Sequence, residues 1–215
     1  MPARLLLGAL MALTIGVAHA QAVPIAGIDY QEITPAARPS AQAGIEVVEY
    51  FWYRCPHCYA LEPLLEPWVA RLPRDARFRR VPAVLGKEWL VDARIYYALE
   101  EIGEVERVHR PLLDAIHQNG GRRLDGDAYA RWVADWLGAH GVDGKRYQAA
   151  LDSPSVRDKV KRAAELSRAL LIEGTPTFLV AGRYLVSPPP GDRRRILEIT
   201  DYLVGRVQAD KLARR

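Results

Sequence analysis

Cysteine is nearly absent from this 215-residue chain, which contains only Cys55 and Cys58. A disulfide framework that stabilises a fold needs several cysteines at dispersed positions. A bond between residues only three positions apart closes a loop too small to contribute much stability. The pair therefore indicates chemistry, either a disulfide that forms and breaks or a metal site.

Histidine is also sparse, which limits the metal alternative. A structural zinc site needs four ligands, commonly two cysteine pairs or one pair with two spaced histidines. After residue 20 the chain has four histidines, and they form no close ligand pair: His57, His109, His117 and His140. We expect no metal, and a zinc-binding module remains an alternative for the cysteine pair.

Long apolar runs are missing except at the amino terminus. There, Arg4 precedes an uncharged apolar run at 5–18, and Ala18-His19-Ala20 follows as a small-x-small sequence. A membrane-spanning helix needs about 20 apolar residues, so this run is too short to be one. The layout is typical of a secretory signal peptide at residues 1–20, cleaved after Ala20. We expect the mature protein to be soluble and exported.

Concentrated charge is missing as well. The net charge is +4, and the basic clusters are short and scattered, at 77–80, 193–195 and 214–215. Nucleic-acid binding needs a basic face together with a recognisable reading element, and neither is found. We expect no nucleic-acid partner.

Strand and helix signals divide the rest of the chain into two α/β parts separated by helices. β-Branched and aromatic runs predict strands at 45–52, 76–85, 177–180 and 184–186. Apolar periodicity predicts four helices, at 56–72, 88–103, 104–118 and 127–141. Two further helices are predicted, one from the N-cap Ser153 to 174 and one after Asp192. Pro63 and Pro67 predict a kink or break in the first helix.

This order of elements predicts one α/β domain. We expect an extended lead-in at 21–44, the domain at 45–209, and a tail at 210–215. A helical subdomain is inserted into the domain at about 87–170.

Two motifs make the chain resemble a known family. Cys55-Pro56-His57-Cys58 follows a strand, and Gly174-Thr175-Pro176-Thr177-Phe178 precedes a hairpin. Together they resemble the thioredoxin fold. The Pro-His dipeptide, the helical insertion and the signal peptide are similar to the DsbA family of periplasmic thiol:disulfide oxidoreductases. The resemblance implies a thioredoxin-like fold whose βαβ and ββα halves flank the insertion.

The resemblance also implies partners and a substrate site. The partners are reduced exported polypeptides and a membrane quinone-linked reoxidase of the DsbB type, and no cofactor is implied. The bond between Thr175 and Pro176 is expected to be cis and to face the cysteines, so that the Thr175 backbone can pair with a substrate segment.

The start of the first helix predicts how the thiols differ. A helix start leaves about four N–H groups unpaired and carries about half a positive charge, which favours a thiolate at Cys55. The dipole alone lowers the Cys55 pKa by roughly one unit, so a larger shift needs direct N–H contacts and the His57 imidazolium, next to Pro56. We expect Cys55 to be the exposed, attacked sulfur and Cys58 the sheltered, resolving one. A stabilised thiolate predicts a disulfide donor.

Glu49 is unexpected in a strand that is otherwise apolar, because an unpaired buried carboxylate is costly. The family resemblance implies that it relays a proton to the sheltered cysteine, with Arg79 as a candidate cationic neighbour. An edge position with Glu49 in water remains the alternative.

Two other functions remain open. One is a disulfide isomerase or reductase of the same fold. Known periplasmic isomerases of this kind carry a sizeable N-terminal dimerisation module, and only about 24 mature residues precede the first strand here, which favours a monomeric oxidase. A non-catalytic exported chaperone would use the groove around Thr175 without thiol chemistry.

Overall fold

The computed structural model of the chain describes residues 22–33, 44–187 and 192–213. The predicted signal peptide lies outside the described residues, as does the middle of the predicted lead-in. Across the three described ranges, no helix combines the length and the apolarity needed to cross a membrane.

Five strands form one mixed sheet in the described chain, in the order β1-β5-β4-β2-β3. Their bounds are β1 Gln31–Glu32, β2 Ile45–Phe51, β3 Ala76–Pro82, β4 Thr177–Val180 and β5 Tyr184–Val186. β2 pairs in parallel with β3 and antiparallel with β4, so it is covered along both edges. An antiparallel hairpin joins β4 to β5, as the sequence predicted.

Seven α-helices lie on the two faces of this sheet within the described ranges. They are α1 Pro56–Ala70, α2 Trp89–Glu101, α3 Val105–Gln118, α4 Gly126–Ala139, α5 Gly144–Leu151, α6 Pro154–Ala169 and α7 Arg193–Leu212. α1 and α7 cover one face, where apolar side chains of both helices form a core with β2, β4 and β5. α2 to α6 lie between β3 and β4 in sequence, and their core packs on the other face.

Local capping explains where two of the predicted helices begin. The Ser153 hydroxyl accepts the Val156 N–H at 3.1 Å, and Pro154 occupies the first turn, where its missing N–H is not needed. The Asp192 carboxylate accepts the N–H groups of Arg194 and Arg195 at the start of α7. α7 then continues through Leu212, so the tail predicted at 210–215 is helical in its first three residues.

The first helix does not break at its prolines, contrary to one of the outcomes predicted from the sequence. α1 continues without interruption from Pro56 to Ala70 through Pro63 and Pro67. These two prolines are four residues apart on the exposed face. The carbonyls that they leave unpaired therefore lie where water can bind them, which lowers the cost of each missing helical bond.

Two short elements were missed by the sequence analysis. β1 belongs to the predicted lead-in and extends the sheet by pairing with β5. The neighbouring Tyr30 is buried, packs edge-on against Tyr184 with ring centres 5.6 Å apart, and receives a hydrogen bond from Arg206. α5 has only eight residues, and the carboxylate of its N-cap, Asp143, accepts the first N–H groups of the helix.

Candidate functional site

The cysteine pair lies where β2 ends and α1 begins. The Cys55 N–H bonds to the Trp52 carbonyl at 3.0 Å and closes the turn between the two elements. Cys55 is the N-cap of α1 and has an extended backbone, and its Sγ accepts the Cys58 N–H at 3.4 Å. The sulfur therefore faces the unpaired N–H groups of the helix start, as the sequence predicted.

Hydrogen bonds at this helix start stabilise the Cys55 thiolate. They lower the Cys55 pKa from 9.0 to about 6, against the opposing effect of burial. The hydrogen bond from the Cys58 thiol contributes most, followed by the Thr175 side chain and the backbone N–H groups of Cys58 and His57. Three pKa units correspond to about 4 kcal/mol, more than a helix dipole supplies, so direct donors are required.

The His57 side chain does not join these donors. It is exposed and makes no hydrogen bond or ion pair with any described residue. In this arrangement His57 contributes through its backbone N–H, while Pro56 at the first helical position has no N–H to offer. The expectation that the imidazolium lies beside the sulfur remains a prediction.

The two thiols differ in proton affinity more than in exposure. Both are free and buried, with 5% of Cys55 and 1% of Cys58 accessible. The sequence-based expectation of an exposed Cys55 is therefore wrong, because the chain around the helix start covers both sulfurs. Burial raises the pKa of Cys58 well above its ordinary value, and its interactions with Cys55 and the Glu49 charge add to the shift.

The loop before β4 contacts the Cys55 sulfur. The peptide bond between Thr175 and Pro176 is cis, as predicted, and the Cys55 thiol donates to the Thr175 carbonyl at 3.3 Å. β4 begins at Thr177 directly opposite Tyr50 near the end of β2, which places this loop at the edge of the sheet where Cys55 lies. The Thr177 hydroxyl also bonds to the Gly174 carbonyl at 2.8 Å and fixes the loop.

Glu49 is buried, with 1% of its surface accessible, so the edge alternative is wrong. It lies opposite Arg80 in the parallel register of β2 and β3, and the Arg80 Nε is 3.2 Å from its carboxylate. The predicted neighbour Arg79 points to the other face of the strand and bonds to Glu46. Because side chains alternate along a strand, an error of one position selected the wrong arginine.

Burial also changes the acidity of Glu49. It raises the Glu49 pKa from 4.5 to about 8, although the Arg80 charge acts in the opposite direction. Neither carboxylate oxygen has a hydrogen-bond partner among the described residues. Glu49 can therefore hold a proton near neutral pH, close enough to the thiols for its charge to affect both.

Comparison with known proteins identifies the family. The model of the DSBA-like thioredoxin domain matches residues 69–195, a range that begins after the cysteine pair. The thiol:disulfide interchange protein DsbA of Azotobacter vinelandii is 38% identical over 180 residues, which cover 83% of this chain and 82% of that one. The chain belongs to the DsbA family.

Solved structures of DsbA proteins have the same fold. The DsbA of Pseudomonas aeruginosa superposes with a TM-score of 0.79 at 34% identity, covering 87% of this chain and 96% of that one. The oxidoreductase DsbA of Xylella fastidiosa gives 0.76 at 36% identity, covering 87% and 100%. The thioredoxin fold with inserted helices is therefore confirmed.

The sequence analysis of this DsbA-family chain missed three residues beneath the thiols. Arg80 Nη2 contacts both carboxylate oxygens of Glu62 at 3.1 Å, and His109 Nε2 lies 3.4 Å from Glu62 Oε1. With Glu49, they form what we call the buried charged cluster: Glu49, Glu62, Arg80 and His109. The sequence signal for this cluster was Glu62. It is an acid in the apolar stripe of α1, one helical turn after Cys58 and between Leu61 and Leu65.

A second buried network, also missed, holds the turn before Cys55 against the inserted helices. Asp92 of α2 accepts hydrogen bonds from the Trp52 indole at 2.7 Å, from Arg54 Nε at 3.1 Å and from the Tyr129 hydroxyl at 2.7 Å. Arg54 also bonds to Asp125 at 2.9 Å. This network connects the DsbA-type helical insertion directly to the catalytic turn.

Proposed function

We propose that this thiol:disulfide oxidoreductase donates a disulfide between Cys55 and Cys58 to reduced polypeptides. The observation that carries the proposal is the Cys55 sulfur at the helix start, where it accepts the Cys58 N–H. A stabilised thiolate stabilises the reduced protein, so the oxidised protein tends to give its disulfide away. The similarity to proteins named thiol:disulfide interchange protein DsbA supports this assignment.

The reaction proceeds through a mixed disulfide. A substrate thiolate attacks Cys55 Sγ, the bond between the two cysteines breaks, and Cys58 leaves as a thiolate. Glu49 then protonates the Cys58 sulfur, whose high proton affinity makes this transfer favourable. A second substrate thiolate attacks the substrate sulfur and releases the Cys55 thiolate, so the substrate is oxidised and the protein reduced.

The residues around the cysteines assist these steps. The Thr175 backbone, next to Pro176 and in contact with the Cys55 sulfur, pairs with an extended segment of the substrate. Pro56, at the first helical position, and His57, through its backbone N–H, tune the thiolate. The chemistry requires no metal and no cofactor.

We infer the cellular setting from the amino-terminal sequence and the family. Residues 1–20 act as a cleaved leader, and the mature chain at 21–215 acts in the periplasm as a monomer. Its substrates are exported polypeptides that still carry free thiols. A membrane quinone-linked protein of the DsbB type reoxidises the dithiol, and nucleic acid plays no part.

The reduction potential of the Cys55–Cys58 couple tests the direction of the reaction. Equilibration with glutathione should give a potential well above the about −270 mV of thioredoxin. Cys58→Ser should accumulate mixed disulfides with a disulfide-containing peptide, because the Cys55 thiolate attacks the peptide disulfide and no second cysteine resolves the product, and Cys55→Ser should be inactive. A potential as low as that of thioredoxin would assign a reductase or isomerase, and activity that survives Cys55→Ser would assign a chaperone.

A further inference from the structure

The buried charged cluster has a side that faces away from the thiols. A cavity of about 270 Å³ lies between the second half of α1, the middle of β3 and the start of α3, and both Arg80 and His109 line it. Glu66 of α1 also lines this cavity and lies eight residues after Cys58, so the cavity is about 12 Å along the helix from that thiol. A substrate bound at Cys55 would leave this side open.

The contacts of His109 define its protonation state. The Glu62 carboxylate can only accept, since hydrogen bonding to His109 and the Arg80 charge hold the Glu62 pKa below its ordinary value despite burial. His109 Nε2 therefore donates to Glu62, and Nδ1, 3.2 Å from the Tyr53 hydroxyl, accepts from Tyr53. Burial lowers the pKa of His109, so the ring is neutral at neutral pH.

With His109 neutral, the buried charged cluster has no net charge only while Glu49 keeps its proton. Arg80 carries the positive charge and Glu62 the negative one. When Glu49 gives its proton to the Cys58 thiolate, two buried carboxylates share one guanidinium. An uncompensated buried charge of this kind is costly, and the cost opposes the transfer.

We propose that His109 compensates for this charge by taking a proton from solvent in the cavity when Glu49 protonates Cys58. The Glu49 proton moves to Cys58 Sγ, His109 gains a proton at Nδ1, and the Tyr53 hydroxyl turns to accept from it. Each opening of the disulfide thus takes up one proton from solvent through the cavity, and reoxidation returns it. The proposal rests on the donor function above and makes His109 a positioning residue for the proton of Glu49.

The surroundings of His109 match this role. The charged groups facing it or lining the cavity come from three elements: Glu62 and Glu66 from α1, Arg80 from β3, and Glu106 and Arg110 from α3. Phe51, Tyr53 and Tyr96 pack on the ring and fix its orientation. Arg80 disfavours the imidazolium, whereas Glu62 and Glu106 favour it, so a second carboxylate charge at Glu49 shifts the balance toward protonation.

The test combines a histidine deletion with chemical rescue. We expect His109→Ala to slow the single-turnover opening of the disulfide by a small dithiol about tenfold at pH 6–7, part of the gain typical of acid catalysis. Imidazole, which fits the enlarged cavity, should restore most of the rate. Pyrazole, a ring of the same size that is far less basic, should not. His140→Ala, which removes an exposed histidine that stacks on Trp136, is the control.

The pH profile separates a proton role from a structural one. The ratio of variant to wild-type rates should return to one above about pH 9, because Glu49, with a pKa of about 8, has then lost the proton it would donate. His109→Gln, which keeps a donor for Glu62, should show the same profile and provides a second variant if the alanine variant unfolds. A rate reduced equally at every pH, or rescued equally by pyrazole, would overturn the proposal. Failure of the donor function would instead appear as a wild-type reduction potential near that of thioredoxin, whatever the His109 variants show.

Discussion

At the residue scale, one helix start gives two neighbouring thiols opposite chemistry. Cys55 receives the donors, namely the Cys58 thiol and two backbone N–H groups, and the Thr175 side chain adds to their effect on the Cys55 pKa. Cys58 is itself a donor to Cys55 and lies deeper, near the Glu49 carboxyl, so ionising it adds negative charge where little compensates for it. Hydrogen bonding and depth of burial thereby make Cys55 the sulfur that leaves easily and Cys58 the sulfur that holds a proton.

Thr175→Val tests the contribution of one donor. Removing the hydroxyl while keeping the side-chain shape should raise the Cys55 pKa by about half to one unit, since a hydroxyl dipole that favours the thiolate is lost. The reduction potential should fall by about 15–30 mV. Thiolate absorbance against pH measures the first change, and glutathione equilibration the second.

The matched control for this change is Thr200→Val in α7, which removes a buried hydroxyl bonded to the Ile196 carbonyl of the same helix. It should leave both values unchanged. If the two valine variants titrate alike, the Thr175 side chain does not stabilise the thiolate.

Residues whose roles follow from local sequence were predictable, and those that depend on distant contacts were not. Cys55 and Cys58 are three positions apart, and the Thr-Pro pair stands directly before a strand, so both motifs are visible in the sequence. Arg80 acquires its role from the register between β2 and β3, and His109 from packing of α3 against α1. No local pattern encodes either contact, and Arg79 was therefore preferred to Arg80.

At the element scale, the inserted helices hold the turn that carries the thiols. Asp92 of α2 binds Trp52 and Arg54, and Trp89 at the start of the same helix stacks on Trp52 with ring centres 4.2 Å apart. Arg54 immediately precedes Cys55 and is buried. The insertion is thus structurally part of the catalytic turn rather than an independent appendage.

Asp92→Asn should weaken this attachment. It leaves the buried Arg54 without its carboxylate partner in α2, and we expect a loss of about 2–4 kcal/mol in the free energy of unfolding. Urea unfolding measures the loss, and disulfide exchange kinetics show whether the turn is disturbed. Asp152→Asn, which removes an exposed partner 3.6 Å from Arg94, should cost less than about 1 kcal/mol. Equal losses in the two variants would contradict a supporting role for the Asp92 network.

At the scale of the whole molecule, the thiolate connects the redox state to the stability of the fold. Only the reduced protein has the Cys55 thiol, whose pKa falls from 9.0 in an ordinary environment to about 6 in the fold. Between pH 6 and pH 9 the folded reduced chain therefore binds fewer protons than its unfolded form, so its stability rises with pH in this window. Glu49 contributes a pH dependence of stability with the opposite sign, because burial raises its pKa to about 8. This contribution is present in both redox forms.

The difference in unfolding free energy between the reduced and oxidised proteins should therefore increase with pH. Relative to pH 6, the gain of the reduced form should be about 1 kcal/mol at pH 7 and about 3 kcal/mol at pH 9. Above pH 9 the Cys58 thiol, whose pKa is raised by burial, opposes any further gain. Guanidinium unfolding of each form across this range measures the difference, and the disulfide itself contributes little because its loop is short. Reduced Cys55→Ser should lose the slope. A difference that stays constant from pH 6 to pH 9 would mean that the fold does not stabilise the thiolate, and the preference for giving the disulfide away would then have no source at the helix start.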